Sequence, residues 1–142
     1  MTDTVRPAAR FHHVGFVVSS IGQTVNGFAQ ALGLRWQAEV FADPLQRVRV
    51  TFLGEPDAPQ IELVEPGGAD SPVQAFLAKG GGLHHVCYET EDLEAELRHQ
   101  RSTGSIIVRS PVPAVAFGGR RIAWVYTRQR LLVEYLERKP AP

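Results

Sequence analysis

The chain has 142 residues, of which 44% are hydrophobic, and its 15 Lys and Arg residues balance 15 Asp and Glu residues. This composition supports a buried core and excludes a disordered chain, while zero net charge argues against a nucleic-acid partner. No apolar run approaches the roughly 20 residues that cross a bilayer, and the first ten residues lack a secretory apolar segment. The one cysteine, Cys87, excludes an internal disulfide. We therefore expect a cytoplasmic protein without membrane or nucleic-acid partners.

The first half of the chain predicts the order β-α-β-β-β. Alternating apolar residues predict a strand over 11–18, Ser20 is suited to cap a helix over 21–32, and Gly33 is suited to end it. The expected apolar stripe of that helix is Val25, Phe28, Ala29 and Leu32. Three further strands are predicted at about 35–42, 47–54 and 59–65.

The second half predicts the same order after a connector. Residues 67–82 are expected to connect the halves with a short helix, capped by Asp70 or Ser71 and with Pro72 in its first turn. The predicted elements that follow are a strand at 83–89, a helix at 92–103 ended by Gly104, and strands near 106–109, 120–126 and 131–137. The modules are thus expected at 11–66 and 83–138, with frayed ends at Pro7 and at K-P-A-P.

One sequence offset relates the two halves. F-H-H-V-G at 11–15 matches L-H-H-V-C at 83–87, which places His13 and His85 72 residues apart. Glu62 and Glu134 are also 72 residues apart, although they lie in a different pair of strands. The same offset pairs Val50 with Ile122 and Phe52 with Trp124. We interpret this register as a tandem duplication.

Strand parity places the polar residues of interest on one kind of face. Val14, Phe16 and Val18 share an apolar face that the helix of the module can cover, whereas His13 points to the opposite face. Glu62, His85 and Glu134 follow the same rule in their strands. We expect an α+β fold in which the tandem β-α-β-β-β modules form a cupped, barrel-like mixed sheet with the helices outside.

Two imidazoles and two carboxylates suit a divalent metal ion. The predicted ligands are His13, Glu62, His85 and Glu134. Co, Ni, Mn, Zn, Fe and Mg all remain candidates for the ion. A single strand histidine is more often a surface or hydrogen-bonded residue, so the hypothesis depends on the shared register. His12 and His84 have the opposite parity and are expected to pack beside the ligands or to hydrogen-bond to them.

These residues resemble the vicinal oxygen chelate superfamily, which includes glyoxalase I, extradiol dioxygenases, bleomycin-binding proteins and methylmalonyl-CoA epimerase. The resemblance covers about residues 11 to 137 and is greatest to the epimerase branch. It is carried by V-R-V-T-F-L at 48–53, I-E-L-V-E-P at 61–66, D-S-P-V-Q-A-F-L at 70–77 and G-L-H-H-V at 82–86. The metal positions of the family match the four ligands selected by parity, with Gln common in relatives at the position of Glu62.

Three segments depart from the epimerase pattern. Leu45 stands where the resemblance places a catalytic Glu, and A-V-A-F-G-G at 114–119 replaces a glycine-rich segment. The segment Y-T-R-Q-R at 126–130 is shorter than the turn that the epimerase pattern has near the end of the chain. The departures touch the regions of substrate and catalysis and leave the metal set intact.

The resemblance implies an isomerase or lyase that acts through a metal-bound enolate, with Glu134 as ligand and general base. Asp43 and Glu39 are weak candidates for a second base. The alternatives are a glyoxalase I-like lyase acting on a thiol adduct and a non-catalytic protein that binds a small molecule or antibiotic. The expected partners are a small-molecule substrate, with an acyl-CoA thioester as one candidate, and a second copy of the chain in a homodimer. The weaker candidates for substrate contact are Phe117, Arg120, Arg121 and Trp124.

Overall fold

The structure is a computed structural model and describes residues 6–140. Two compact units divide the chain, one of residues 12–84 and one of residues 6–11 with 85–140. The elements of the first half are β1 (Ala9–Val17), α1 (Ile21–Leu32), β2 (Trp36–Asp43), β3 (Val48–Leu53), β4 (Gln60–Pro66) and α2 (Gln74–Ala78). Those of the second half are β5 (Gly82–Thr90), α3 (Leu93–Ser102), β6 (Ile106–Pro113), β7 (Arg121–Tyr126) and β8 (Leu132–Glu137).

The first unit packs α1 against one face of its strands, which lie in the order β2-β3-β4-β1. The pair β1 and β4 is parallel, and the other pairs are antiparallel. Apolar side chains from α1 and from the strand face beneath it form the core, namely Ile21, Val25, Leu53 and Leu63, with Val18 beside them. Glu62 lies opposite Gly15 on β1 and opposite Phe52 on β3.

The second unit repeats this arrangement in the order β5-β8-β7-β6, with β5 and β8 parallel. Helix α3 contributes Leu93 and Leu97 to a core with Ala123, Val125, Val133 and Tyr135. Glu134 lies opposite Cys87 on β5 and opposite Trp124 on β7. The predicted α+β fold of tandem β-α-β-β-β modules, with a helix over one face of each, is confirmed.

The ends of the long helices follow from their capping residues. The Ser20 hydroxyl accepts a hydrogen bond from the Gln23 amide at 3.2 Å, and Gly33 ends α1 with a left-handed φ of 65°. The Asp92 carboxylate accepts from the Ala95 amide at 3.0 Å at the start of α3. The predicted stripe of α1 is wrong at Leu32, which is 49% exposed because it lies in the last turn beside the cap.

The predicted capping of the connector helix is also wrong. Helix α2 has only five residues, and its N-cap is Val73, which makes no side-chain capping bond. Asp70 instead pairs with Arg47 at 3.5 Å, and the Ser71 hydroxyl accepts a bond from the Val73 amide at 3.5 Å. The helix begins at Gln74, two residues after Pro72.

Residues 6 and 7 make defined contacts, so the expectation of fraying at Pro7 is wrong. Pro7 is buried, and the Arg6 guanidinium donates to both oxygens of Glu96 at 3.0 and 3.2 Å. Gln100 donates to Glu96 at 3.0 Å and to the Tyr135 hydroxyl at 2.9 Å. The hydrogen bond from Arg6 satisfies a Glu96 side chain that is completely buried, and burial raises the pKa of Tyr135. The C-terminal tail has no regular structure at 139–140, and its last two residues lie outside the described range.

Across residues 6–140, none of the helices combines the length and the apolar composition that crossing a bilayer requires.

Replacing Arg6 with Ala is expected to lower the free energy of unfolding by about 1–3 kcal/mol, because the buried Glu96 carboxylate loses its charged donor. The matched control is Arg35→Ala, which removes an exposed ion pair with Glu55 and is expected to cost about 0–1 kcal/mol. Urea unfolding measures both variants. Equal unfolding midpoints for the two variants would contradict the role given to Arg6.

Candidate functional site

A buried histidine and a buried glutamate meet in the first unit, on the strand face opposite α1. His13 is fully buried and Glu62 is 4% exposed. The Nε2 atom of His13 lies 3.4 Å from the Oε1 atom of Glu62. Their strands β1 and β4 are parallel neighbours, so the register of this pair brings the two side chains together.

The rings of Phe52 and His12 contact the ring of His13 in the same unit. The ring of Phe52 lies edge-on to His13 with centroids 5.5 Å apart, and Phe41 lies beyond it at 6.5 Å from Phe52. The Nδ1 atoms of His12 and His13 are 2.8 Å apart, which is hydrogen-bonding distance. The expected hydrogen bond between His12 and a predicted ligand is therefore present.

The second unit holds the equivalent pair with the same spacing. His85 is 2% exposed and Glu134 is 3% exposed. The Nε2 atom of His85 lies 3.4 Å from the Oε1 atom of Glu134. Trp124 packs edge-on against His85 with ring centroids 4.7 Å apart. Each module thus presents a histidine, a glutamate and an aromatic ring at the same sequence offset.

Phe52 is the site residue that the sequence reasoning missed. Trp124 was expected near the substrate, whereas its partner in the repeat received no role. The 72-residue offset that pairs Phe52 with Trp124 was the signal that identifies it. An aromatic edge beside each imidazole restricts the orientation of the histidine ring.

A comparison with known protein families matches residues 12–124 to the model of the glyoxalase/bleomycin resistance protein/dioxygenase superfamily. The chain belongs to this superfamily. The match includes three of the four predicted ligands, and Glu134 lies beyond its end.

Individual members of the superfamily resemble the chain over most of its length. An ethylmalonyl-CoA/methylmalonyl-CoA epimerase from Cereibacter sphaeroides is 32% identical over 124 residues, which cover 84% of this chain and 89% of the relative. A crystal structure of methylmalonyl-CoA epimerase from Mycobacterium tuberculosis superposes with a TM-score of 0.81 at 26% identity, covering 99% of this chain and 94% of that one. A Streptomyces coelicolor methylmalonyl-CoA epimerase variant in complex with 2-nitronate-propionyl-CoA has a TM-score of 0.79 at 25% identity, covering 92% and 98%.

In this superfamily member, the arginines that were candidates for substrate contact form ion pairs with their own chain. Arg120 donates to Glu89 at 2.9 Å and to the Glu137 carbonyl at 3.1 Å, and its guanidinium lies 5.8 Å from the ring centre of Phe117. Arg121 contacts Glu94 and Glu137, each at 2.8 Å. Hydrogen bonds from Arg121 lower the pKa of both carboxyls. A role for these arginines with substrate stays a prediction.

Glu39 and Asp43, the candidates for a second base, lie in β2, and Leu45 lies in the turn that follows it. Asp43 is 4% exposed, and its Oδ1 atom accepts bonds from the amides of Leu45 and Gln46 at 3.1 and 3.2 Å. Its Oδ2 atom accepts from the Gln46 side chain at 2.9 Å. Leu45 is 52% exposed and Glu39 is exposed. Asp43 thus stabilises the turn with both oxygens.

Arg120→Ala is expected to lower the free energy of unfolding by about 1–3 kcal/mol, because Glu89 is only 8% exposed and loses its best donor. Arg10→Ala is the matched control, since Arg10 contacts the same carboxylate at 3.2 Å with a side chain that is 77% exposed. Its expected cost is about 0–1 kcal/mol. Thermal and urea unfolding test this difference. If Arg120→Ala is as stable as wild type but binds the substrate more weakly, Arg120 contacts the substrate instead of stabilising the fold.

Proposed function

We propose that His13, Glu62, His85 and Glu134 hold one divalent metal ion. The proposal is supported by the two equal histidine–glutamate spacings and by the common offset of the two pairs. It agrees with the metal positions that the family resemblance assigns. The identity of the ion stays open among Co, Ni, Mn, Zn, Fe and Mg.

The donor set and its spacing fit such an ion. Two atoms that each lie about 2.0–2.1 Å from a metal are roughly 3–3.4 Å apart when they are neighbours around it. The separation of 3.4 Å within each pair lies at the upper end of this interval. Imidazole nitrogen suits first-row transition metals, and carboxylate oxygen suits these and the harder ions Mn and Mg. Burial of both glutamates favours a cation partner, because an unpaired buried carboxylate is unfavourable.

We further propose that the chain is an isomerase of the epimerase type that acts on an acyl-CoA thioester. The single observation that carries this proposal is the buried histidine–glutamate pair that each unit holds, in a chain that is 32% identical to an ethylmalonyl-CoA/methylmalonyl-CoA epimerase. When bound, the divalent ion supplies Lewis-acid stabilisation of negative charge on a substrate oxygen. The residues of the chain move the proton of the adjacent carbon.

Glu134 is the proposed general base. Its carboxylate accepts the carbon-bound proton and returns it, so the reaction consumes no oxidant, reductant or second substrate. His85 contacts Glu134 on one side, and Trp124 packs against His85 and restricts the position of both. Glu62 acts only through coordination on this proposal, since the resemblance permits an uncharged Gln in its place.

Leu45 limits the stereochemistry that we propose. Inversion at carbon needs a proton donor on the face opposite the base, and Leu45 has no titratable group. Asp43 already uses both oxygens in its turn, which makes it a poor substitute. Exchange of the substrate proton through Glu134 alone is therefore the minimal reaction of the site, and the group for inversion stays unassigned.

Two alternative functions stand beside the epimerase proposal. A glyoxalase I-like lyase would use the same ligands and base on a thiol adduct. A non-catalytic protein that binds a small molecule or antibiotic is favoured by Leu45 and by the aromatic rings of Phe52 and Trp124 beside the histidines. The homodimer, the cytoplasmic location and the absence of nucleic-acid and membrane partners stay predictions.

The purified protein is expected to bind about one divalent ion per chain after reconstitution, because all four ligands serve one site. Elemental analysis measures the stoichiometry. His85→Ala is expected to abolish this binding, whereas His84→Ala is the matched neighbour and is expected to retain it. Two ions per chain would show that each pair binds separately, and equal losses in both variants would refute the parity assignment.

Glu134→Gln is expected to damage turnover more than metal binding. An amide oxygen still coordinates a metal, but a neutral amide does not accept a carbon-bound proton at neutral pH. The expected loss is about 10²–10⁴-fold in the rate of deuterium incorporation at the acidic carbon of methylmalonyl-CoA. Glu62→Gln is the control and is expected to be milder. Equal exchange in wild type and in metal-loaded Glu134→Gln would remove Glu134 from the mechanism, and wild type that binds thioesters without exchange would support the binding alternative.

A further inference from the structure

The two vicinal histidines of the first module are joined by their side chains. The Nδ1 atoms of His12 and His13 lie 2.8 Å apart, and the two rings are nearly perpendicular, with an interplanar angle of 79°. His13 is fully buried and His12 is half-buried. The opposite ring nitrogen of His13 is the one that lies beside Glu62. The two nitrogens of His13 therefore have different partners.

This geometry determines which tautomer of His13 is suited to a metal. A nitrogen that coordinates an ion carries no proton, so Nε2 as ligand requires the proton of His13 on Nδ1. That Nδ1–H group then donates to the unprotonated Nδ1 of His12. His12 in turn carries its own proton on Nε2. A hydrogen bond of this kind fixes the orientation of the ligand ring and increases the basicity of the coordinating nitrogen.

We propose that His12 is a positioning residue that holds His13 in the tautomer and orientation that bind the metal ion. This inference rests on the proposed metal site. His12 acts through His13 and contacts neither substrate nor ion on this proposal. The acceptor at Nδ1, rather than the size or charge of the His12 ring, is the feature that His13 requires.

The equivalent histidine of the second module has a different neighbour. The ring of His84 packs edge-on against Phe76 of α2, with ring centroids 4.9 Å apart. The duplication thus conserves a histidine at both 12 and 84. His84 therefore provides a matched control, because it stands at the same position before a predicted ligand.

The test compares His12→Leu, His12→Asn and His84→Leu by titration with Co²⁺ in competition with a chelator. Leu keeps much of the apolar volume and removes the acceptor, whereas the Oδ1 atom of Asn replaces the acceptor close to the position of Nδ1. His12→Leu is expected to weaken Co²⁺ binding by about 10–100-fold, the usual effect of losing such a partner. His12→Asn is expected to recover most of this loss, and His84→Leu is expected to bind Co²⁺ as wild type does.

The outcomes separate this inference from the proposed function. Wild-type protein that binds no Co²⁺ would overturn the metal site and this inference with it. If wild type and His12→Leu bind Co²⁺ with equal affinity, the role of His12 alone is overturned. Equal losses of Co²⁺ affinity in His12→Leu and His12→Asn would overturn it too. If His12→Leu does not fold, His12→Asn is compared with His12→Gln, because the longer side chain of Gln moves the acceptor away from the Nδ1 position. Equal Co²⁺ affinities of these two variants would overturn the inference.

The protonation of the rings gives a second readout that does not depend on activity. Long-range ¹H–¹⁵N correlation spectra of the Zn²⁺-loaded protein distinguish protonated from unprotonated ring nitrogens. The proposal requires a protonated Nδ1 on His13 and an unprotonated Nδ1 on His12. The reverse assignment would overturn it.

Discussion

The register of one parallel strand pair in each module determines the candidate site. β1 and β4 are aligned so that Glu62 lies opposite Gly15, and β5 and β8 place Glu134 opposite Cys87 in the same way. Each glutamate therefore faces a small residue, which leaves space for it to approach the histidine two residues earlier. A slip by one residue would turn the carboxylate to the face covered by the helix. The hydrophobic core that fixes the register thus also positions the four proposed ligands.

The four proposed ligands have side chains whose burial is unfavourable without polar partners. Both histidines and both glutamates are at most 4% exposed. Carboxylates in such surroundings lose their hydration and need a cation or a strong donor in return. Two other buried carboxylates have arginine partners, as Glu96 has in Arg6 and Glu89 has in Arg120. Glu62 and Glu134 have histidines beside them, which agrees with the proposal that both are metal ligands.

Strand parity and the repeat predicted the fold class, most element positions and the strand face on which the histidines and glutamates lie. These features are local or periodic, so they can be read from the sequence. The contact of Arg6 with Glu96 joins residues 90 positions apart, and nothing local in the N-terminal segment indicates it. The start of α2 was mispredicted because Asp70 pairs with Arg47, and such competition for a capping side chain depends on tertiary structure. The bounds predicted for the modules and the roles of the four ligands stay predictions.

The differences between the halves are as instructive as their likeness. The offset conserves the histidine, the glutamate and an aromatic residue, and Phe76 packs against His84 from α2, an element that the first module has no equivalent of in the described residues before His12. The turn that carries Leu45 also departs from the epimerase pattern, and Asp43 there has a structural role. The repeated histidine–glutamate pair and the altered turn at Leu45 together agree with the proposal that the chain keeps the metal site of its relatives and differs from them in substrate or stereochemistry.

The most direct test of the central claim is a crystal structure of the Co²⁺-loaded protein with anomalous data collected at the cobalt edge. The account predicts one strong anomalous peak per chain, coordinated by Nε2 of His13 and His85 and by carboxylate oxygens of Glu62 and Glu134, at about 2.0–2.2 Å. Two separate peaks, one at each histidine–glutamate pair, or a peak at other residues would contradict it.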